Sequence, residues 1–227
     1  MNQFKIAALL PMRHSSERVK GKNYRDFAGK PLFFHVLENL INSNFIDSVV
    51  IDTDSPVIIG LVKEKFPVVK ILERPKNLRN GAIAMNDVLL NTINQIPADF
   101  YLQTHSTNPI LSSKTIETAI NFFLTNYPMY DSLFTVTKKH VRLWDSLVRP
   151  VNHNQNILLR TQDLPPFFEE NSCMYIFSKE ILERRHNRIG ERPFMFEMDE
   201  IEAQDIDVEL DFKIAEFLFK EINGSNK

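Results

Sequence analysis

The sequence predicts an α/β protein with a doubly wound, mostly parallel sheet and a small β-arm. Short apolar segments alternate with segments of helical periodicity along the 227 residues. Polar loops follow the ends of the predicted strands, where open α/β sheets bind their ligands. The alternation breaks between residues 138 and 165, where β-formers and turn residues predict an inserted arm. We therefore predict one domain, residues 1–227, with residues 138–165 as the arm.

Each predicted strand is a short apolar segment, long enough for a buried strand and too short for a membrane span. The strands are predicted at residues 6–10, 48–52, 68–72, 99–103, 132–137, 174–178 and 194–197. Pro11 is expected to end the first strand, because proline cannot donate a hydrogen bond to a sheet.

The predicted helices follow capping residues. Pro31 is expected at the first position of a helix to residue 40, and Ser55 is expected to cap a helix with Pro56 at its first position. Further helices are predicted at 86–95, from Ser112 and Ser113 to 124, from Ser178 to 185, and at 208–222. One face of the last helix carries Leu210, Ile214, Phe217 and Leu218.

Composition and charge exclude several classes of protein. The formal net charge is −2, which gives no general attraction to nucleic acid or to an anionic membrane. Cys173 is the only cysteine, so no internal disulfide can form and a reducing compartment is expected. The N-terminal apolar run is too short for a signal peptide. We therefore expect a cytoplasmic protein without nucleic-acid or membrane partners.

The loop after the first strand is strongly cationic. Between residues 11 and 30 it carries six basic residues against Glu17 and Asp26: Arg13, Arg18, Lys20, Lys22, Arg25 and Lys30. A strand, a cationic loop and a helix form the arrangement that holds phosphates at the carboxyl edge of a parallel sheet. Composition alone equally allows a solvated surface loop.

Asp205 and Asp207 precede the last predicted helix. Residues two apart in an extended segment point to the same side, so both carboxylates can face a divalent cation while Ile206 enters the core. Mg²⁺ is bound in this way, through one or two carboxylates and the phosphates of a substrate. The alternative is that Asp207 caps the helix and Asp205 is solvated.

The segment LLPMRHSSERVKGKNYRDFAGKPL resembles the N-terminal signature of the sugar-acid cytidylyltransferases. This family includes the CMP-sialic acid synthetases (acylneuraminate cytidylyltransferases) and, more distantly, the CMP-Kdo synthetases. The resemblance implies a Rossmann-like nucleotidyltransferase fold. It also implies that Arg13 and Lys22 hold the phosphates of CTP and act in catalysis, with Ser16, Asn23 and, in ERPKNL, Arg74 at the nucleotide.

The segment DIDVELD resembles the C-terminal metal motif of the same family. It implies Asp205 and Asp207 as ligands of Mg²⁺, or of Mn²⁺, with Asp207 also catalytic. The resemblance implies that Asp211 has a structural role or contacts the metal ligands without binding the metal itself.

The middle of the chain resembles the family more loosely. Five residues there are implied to bind the sugar acid: Gln103, Arg160, Gln162, Asn171 and Tyr175. Arg160 is the first candidate for the carboxylate, because a guanidinium pairs naturally with that group. The sequence departs from the family pattern in segments that are implied to lie near the acceptor. Thr104-His105 replaces a single proline, and residues 79–86 lack the family's aspartate.

The implied reaction is transfer of CMP from CTP to the anomeric hydroxyl of a 2-keto-3-deoxy sugar acid, nonulosonic or sialic-acid-like, with release of pyrophosphate. The resemblance also implies a homodimer formed through the arm. Three alternatives stay open: a Kdo-like acceptor, transfer of another nucleotide to a sugar phosphate, and a non-catalytic nucleotide-binding protein of the same fold.

Overall fold

The computed structural model describes residues 4–224. The strands are β1 (Ile6–Met12), β2 (Asp26–Phe27), β3 (Lys30–Pro31), β4 (Ser48–Thr53), β5 (Lys70–Glu73), β6 (Phe100–Thr104), β7 (Ser132–Lys139), β8 (Phe167–Phe177) and β9 (Pro193–Glu197). The α-helices are α1 (Leu32–Ile41), α2 (Pro56–Lys65), α3 (Met85–Ile93), α4 (Ser113–Asn126), α5 (Lys179–Arg185) and α6 (Glu209–Gly224).

Seven strands form one sheet in the order β5-β4-β1-β6-β8-β7-β9. Strand β1 pairs in parallel with β4 and β6, and β4 pairs in parallel with β5. Strand β8 runs antiparallel to both β6 and β7, whereas β9 is parallel to β7. Only β8 therefore opposes the other strands of this sheet, and the predicted fold class is confirmed. Strands β2 and β3 form a separate hairpin.

The central strand β1 is buried on both faces because helices cover the sheet on each side. Ala8 and Leu10 belong to a cluster that includes residues of α1 and α4. Ala7 and Leu9 point the other way, into a cluster with residues of α3 and α5. This alternation explains why β1 reads as an unbroken apolar segment.

The three serine caps form as predicted. The Ser55 hydroxyl accepts a hydrogen bond from the backbone N–H of Ile58, and Pro56 is the first residue of α2. Ser112 caps α4 and Ser178 caps α5 in the same manner. These bonds satisfy backbone donors that a helix N-terminus leaves without partners.

Two element boundaries predicted from prolines are shifted in the structure. Strand β1 does not end at Pro11 but continues to Met12, with Pro11 opposite Asp52 of β4. Pairing with β6 reaches only Leu9, so Pro11 lies where β1 has a neighbour on one side and its missing N–H is tolerated. Pro31 belongs to β3 and occupies the N-cap position of α1, which begins at Leu32.

The predicted arm has a different structure. Strands β7 and β8 pair as far as Lys139 and Phe167, so β8 is longer than predicted. Residues 140–166, hereafter the arm, contain an isolated bridge between Trp144 and Pro150 and a short 3-10 turn rather than a regular hairpin. Several large apolar side chains of the arm are exposed, Leu158 by 91%.

Helix α6 buries another face than the one predicted. Leu210 and Phe217 are 64% and 62% exposed, whereas Phe212 and Ala215 are buried. Phe212 packs edge-on against Phe27, with the ring centroids 5.5 Å apart. The sequence of α6 carries two apolar stripes, and the hairpin of β2 and β3 determines which one is buried.

Within residues 4–224, we find no helix with the length and apolar character needed to cross a membrane.

Candidate active site

A cleft of about 600 Å³ opens at the carboxyl edge of the sheet. The cleft is lined from three segments: residues 11–23, from the end of β1 into the loop after it; residues 74–88, from the end of β5 into α3; and residues 105–108 after β6. Ser172, Arg188, Asp205 and Asp207 complete the lining. The loop after β4 supports the wall from behind: Asp54 and Ser55 bind the backbone N–H and the ring of His14, at 2.7 and 2.8 Å.

The loop after β1 brings four predicted nucleotide residues to the cleft: Arg13, Ser16, Lys22 and Asn23. Asn23 holds this loop in place. Its Nδ2 donates to the carbonyl of Arg13 and its Oδ1 accepts from the hydroxyl of Ser106, both at 2.8 Å. Asn23 thereby links the end of β1 to the loop after β6.

Gly81 explains the tight approach of the opposite wall. A Cβ atom at this position would lie 2.6 Å from Nη1 of Arg13. The glycine therefore allows residues 79–84 to pass directly beside the Arg13 guanidinium.

Lys22 joins the cationic loop to the paired aspartates. Its Nζ donates a short hydrogen bond to the carbonyl of Ile206. Burial lowers the pKa of Lys22, while Asp205 and Asp207 act in the opposite direction. The ammonium group of Lys22 is therefore held beside Asp205 and Asp207 by one backbone hydrogen bond and by the two nearby carboxylates.

Asp205 and Asp207 both line the cleft, and Ile206 between them is fully buried, as predicted. The Oδ1 atom of Asp205 is buried and, within residues 4–224, has no hydrogen-bond partner. Burial raises the pKa of Asp205, opposed by a hydrogen bond with Thr107 and by Lys22. Asp207 pairs with Arg18 at 2.7 Å. An unpartnered carboxylate oxygen beside a second carboxylate is the arrangement that a divalent cation satisfies.

Asp211, and not Asp207, caps the N-terminus of α6 with its side chain. Its Oδ2 accepts from the backbone N–H groups of Asp207 and Val208, at 2.9 and 2.8 Å. The Asp207 side chain is therefore free of the helix terminus. In the described residues 4–224, we find no group of three or more His, Cys, Asp and Glu residues arranged to hold a metal. Mg²⁺ held by only two carboxylates completes its coordination with water molecules and with phosphate oxygens of a substrate.

Arg74 lines the cleft but is 2% exposed. Its Nε donates to the carboxylate of Asp52 and its Nη2 donates to the Asp52 carbonyl at 3.2 Å. Burial raises the pKa of Asp52, and Arg74 opposes that shift. Arg74 therefore forms a buried ion pair beneath the predicted nucleotide site.

Arg188 is the cleft residue that sequence reasoning missed. Its guanidinium carbon lies 3.8 Å from the centre of the Tyr175 ring, and its Nη1 donates to Oε1 of Gln103. Gln103 and Tyr175 are fully buried and reach the cleft through Arg188. The nearby motif HNRIGERP gives no signal for this role, because the contacts come from distant β6 and β8.

The other predicted acceptor residues lie outside the cleft of their own chain. Arg160 is in the arm, 72% exposed and paired with Asp163, and Gln162 is also exposed there. Asn171 uses its amide to fix the irregular backbone around Ser172, which has a φ of 57°. It accepts from Thr135 and Cys173 and donates to Thr137.

This fold and cleft define a nucleotidyltransferase: a cationic loop after a central parallel strand faces two carboxylates. The sequence matches the family model described as Cytidylyltransferase over residues 7–221. The chain belongs to this family.

Two similar proteins come from Campylobacter jejuni. A CMP-N,N'-diacetyllegionaminic acid synthase is 29% identical, with 98% of each chain covered. A pseudaminic acid cytidylyltransferase is 25% identical, covering 95% of this chain and 97% of that protein. Among solved structures, CMP:2-keto-3-deoxy-manno-octonic acid synthetase complexed with CTP has a TM-score of 0.71 at 15% identity, covering 96% of this chain and 99% of that one. That structure supports the fold.

Proposed function

We propose that this cytidylyltransferase transfers CMP from CTP to the anomeric hydroxyl of a nonulosonic acid. The observation that carries the proposal is the cleft in which Arg13 and Lys22 face Asp205 and Asp207. Family membership supports CTP as the nucleotide. Two relatives that are similar over nearly their full lengths are named for legionaminic and pseudaminic acids, which are nonulosonic acids.

In this reaction the anomeric oxygen attacks the α-phosphorus of CTP. A new P–O bond forms while the anomeric hydroxyl loses its proton to solvent water, the bond between the α-phosphorus and the bridging oxygen breaks, and pyrophosphate leaves. Arg13 and Lys22 bind the phosphates and stabilise the negative charge on the departing pyrophosphate. The cleft walls hold the two reactants in line, which accounts for much of the rate enhancement.

Asp205 and Asp207 would hold Mg²⁺, or Mn²⁺. The donor set fits, because both residues supply hard oxygen ligands and Oδ1 of Asp205 lacks a protein partner. When bound, such an ion neutralises phosphate charge and lowers the pKa of a hydroxyl close to it.

The arm is proposed to form a homodimer. Leu147, Val148 and Leu158 are 68%, 78% and 91% exposed, and large apolar side chains exposed together favour a protein interface. Arg160 and Gln162 lie on this arm, so their predicted contact with the acceptor would be made across the dimer. The buried lone Cys173 is consistent with a cytoplasmic protein.

The test is pyrophosphate release from CTP and Mg²⁺ with a panel of sialic, legionaminic, pseudaminic and Kdo-type acids. We expect release with one nonulosonic acid and loss of at least a hundredfold in Asp207→Ala. Asp26→Asn, an exposed aspartate outside the cleft, is the control and should retain wild-type activity.

Other outcomes would select the rivals. Release with the Kdo-type acid alone would change the acceptor class. Release from another nucleotide with a sugar phosphate would replace the reaction. Tight binding of CTP without pyrophosphate release for any acceptor would favour a non-catalytic nucleotide-binding protein. The paired aspartates argue against that alternative, because nucleotide binding alone does not require them.

A further inference from the structure

Arg188 lacks a carboxylate within ion-pair distance among residues 4–224, although Glu170 raises its pKa from farther away. Lys22, Arg18 and Arg74, which line the same cleft, lie beside carboxylates of Asp205, Asp207 or Asp52. Within the described chain, Arg188 forms no ion pair, and its Nε is buried without a hydrogen-bond partner. Burial lowers the pKa of Arg188. A shielded guanidinium without a counter-ion is costly, and an anionic ligand would remove that cost.

The surroundings of Arg188 fix its orientation. The ring of Tyr175 supports the flat face of the guanidinium, and Oε1 of Gln103 accepts from one edge. The carboxylate of Glu170 accepts a hydrogen bond from the Tyr175 hydroxyl and forms no ion pair with Arg188. The side chain is thus preorganised, and its charge is left for a ligand in the cleft.

The position of Arg188 separates it from the phosphate-binding loop. It lies over Gln103 of β6 and Tyr175 of β8, whereas Arg13 and Lys22 follow β1. Strand β8 is two places from β1 in the sheet, which corresponds to about 10 Å. An anion at Arg188 would therefore lie on the β8 side of the cleft, beside the triphosphate, which is where the second substrate is expected.

We propose that Arg188 binds the carboxylate of the acceptor sugar acid, with Gln103 as a positioning residue. The proposal rests on the proposed function, which requires a 2-keto acid as acceptor. A carboxylate and a guanidinium form two parallel hydrogen bonds, which fix the acid's orientation as well as its affinity. Arg188 thereby takes the role that the sequence assigned first to Arg160.

The test measures KM for the acid that wild type converts, and for its neutral carboxamide. In Arg188→Met we expect the KM of the acid to rise about 10- to 100-fold, with the KM of CTP unchanged. Wild type should prefer the acid over the amide by a similar factor, and Arg188→Met should lose that preference. Arg188→Lys keeps the positive charge but loses the paired N–H donors of the guanidinium. Its KM for the acid should lie between those of wild type and Arg188→Met.

Controls separate the possible failures. Arg184→Met removes an exposed arginine of α5 that pairs with Glu191, and it should behave as wild type. No release by wild type with any acid would overturn the proposed function and this inference with it. Normal wild-type turnover with an unchanged acid preference in Arg188→Met would overturn the inference alone. Loss of that preference in Arg160→Met only would return the carboxylate to Arg160.

Discussion

At position 105, a histidine side chain lies between Gln103 and two cationic residues. Arg188 donates to Oε1 of Gln103, so the amide nitrogen of Gln103 faces the ring and lies 3.0 Å from Nε2 of His105. Nε2 must then accept the hydrogen bond, which leaves the proton of the neutral ring on Nδ1. The nitrogen of neutral His105 that could accept a proton is therefore already bonded to Gln103, which disfavours a role as general base.

The same surroundings predict a pH effect on stability. Burial, reinforced by Arg188 and Lys22, lowers the pKa of His105 from 6.5 to about 4. The folded state favours the neutral form of His105. The contribution of this residue to the free energy of unfolding is therefore fully present above pH 6.5 and is lost as the pH falls toward 4. We expect His105 to lower the free energy of unfolding by up to about 3 kcal/mol across that window.

Urea unfolding at several pH values checks this expectation. Burial also lowers the pKa of His35, so the test is the difference between wild type and His105→Asn, whose unfolding free energy should vary less with pH. A midpoint near 6.5 for the His105 ring in an NMR titration would contradict the prediction.

For single residues, sequence motifs predicted the cationic loop and the paired aspartates of the cleft but not Arg188. Arg13, Lys22, Asp205 and Asp207 stand in contiguous motifs, and all line one cleft. Arg188 owes its role to side chains that fold beneath it from β6 and β8, and no short segment of sequence contains that information.

Helix α6 begins with a side-chain cap that also positions Asp207, one of the two proposed metal ligands. Asp211, in its first turn, accepts from the N–H groups of Asp207 and Val208. An acidic residue that reaches back in this way satisfies donors that the helix terminus leaves open. The bonds also fix the backbone from which the Asp207 side chain enters the cleft.

Asp211→Ala is therefore expected to weaken both stability and activity. Loss of the cap should lower the free energy of unfolding by about 1 kcal/mol. Because Asp207 loses a backbone contact, the concentration of Mg²⁺ for half-maximal pyrophosphate release should rise. Glu209→Ala removes only the exposed pair with Arg25 and is the matched control. An unchanged Mg²⁺ requirement in Asp211→Ala would limit Asp211 to a role in stability.

Helix and strand positions were largely predictable because each has a local cause. Serine caps and short apolar segments predicted where most elements begin, and the structure agrees. The first half of β8 was missed because Phe167–Glu170 is exposed and gains its strand structure from pairing with β7. The buried face of α6 was missed because only tertiary packing chooses between its two apolar stripes.

For the whole molecule, the reversed direction of β8 determines where the arm emerges. Strand β7 ends at Lys139 on the carboxyl edge of the sheet, and the antiparallel β8 begins at Phe167 on that same edge. The arm therefore leaves the sheet on the side of the cleft. Sequence alternation predicted an inserted arm but could not give its conformation, because the arm has little regular pairing of its own.

If the arm forms the dimer, Leu158→Asp should produce a monomer, because a buried interface does not tolerate an unpaired carboxylate. Sedimentation velocity measures the outcome. Leu210→Asp is the matched control, since Leu210 is another exposed leucine but lies on α6. A monomer from Leu210→Asp alone would place the interface on α6, and a wild-type monomer would exclude the dimer.

The buried position of Cys173 makes the protein suitable for labelling at a single introduced cysteine. The residue is fully buried in β8, and burial raises the pKa of its thiol well above the ordinary value. A maleimide dye needs an accessible thiolate, so the folded chain should resist labelling. A cysteine placed at Leu158 would then be the single reactive position, and fluorescence could follow the arm without removing the native thiol.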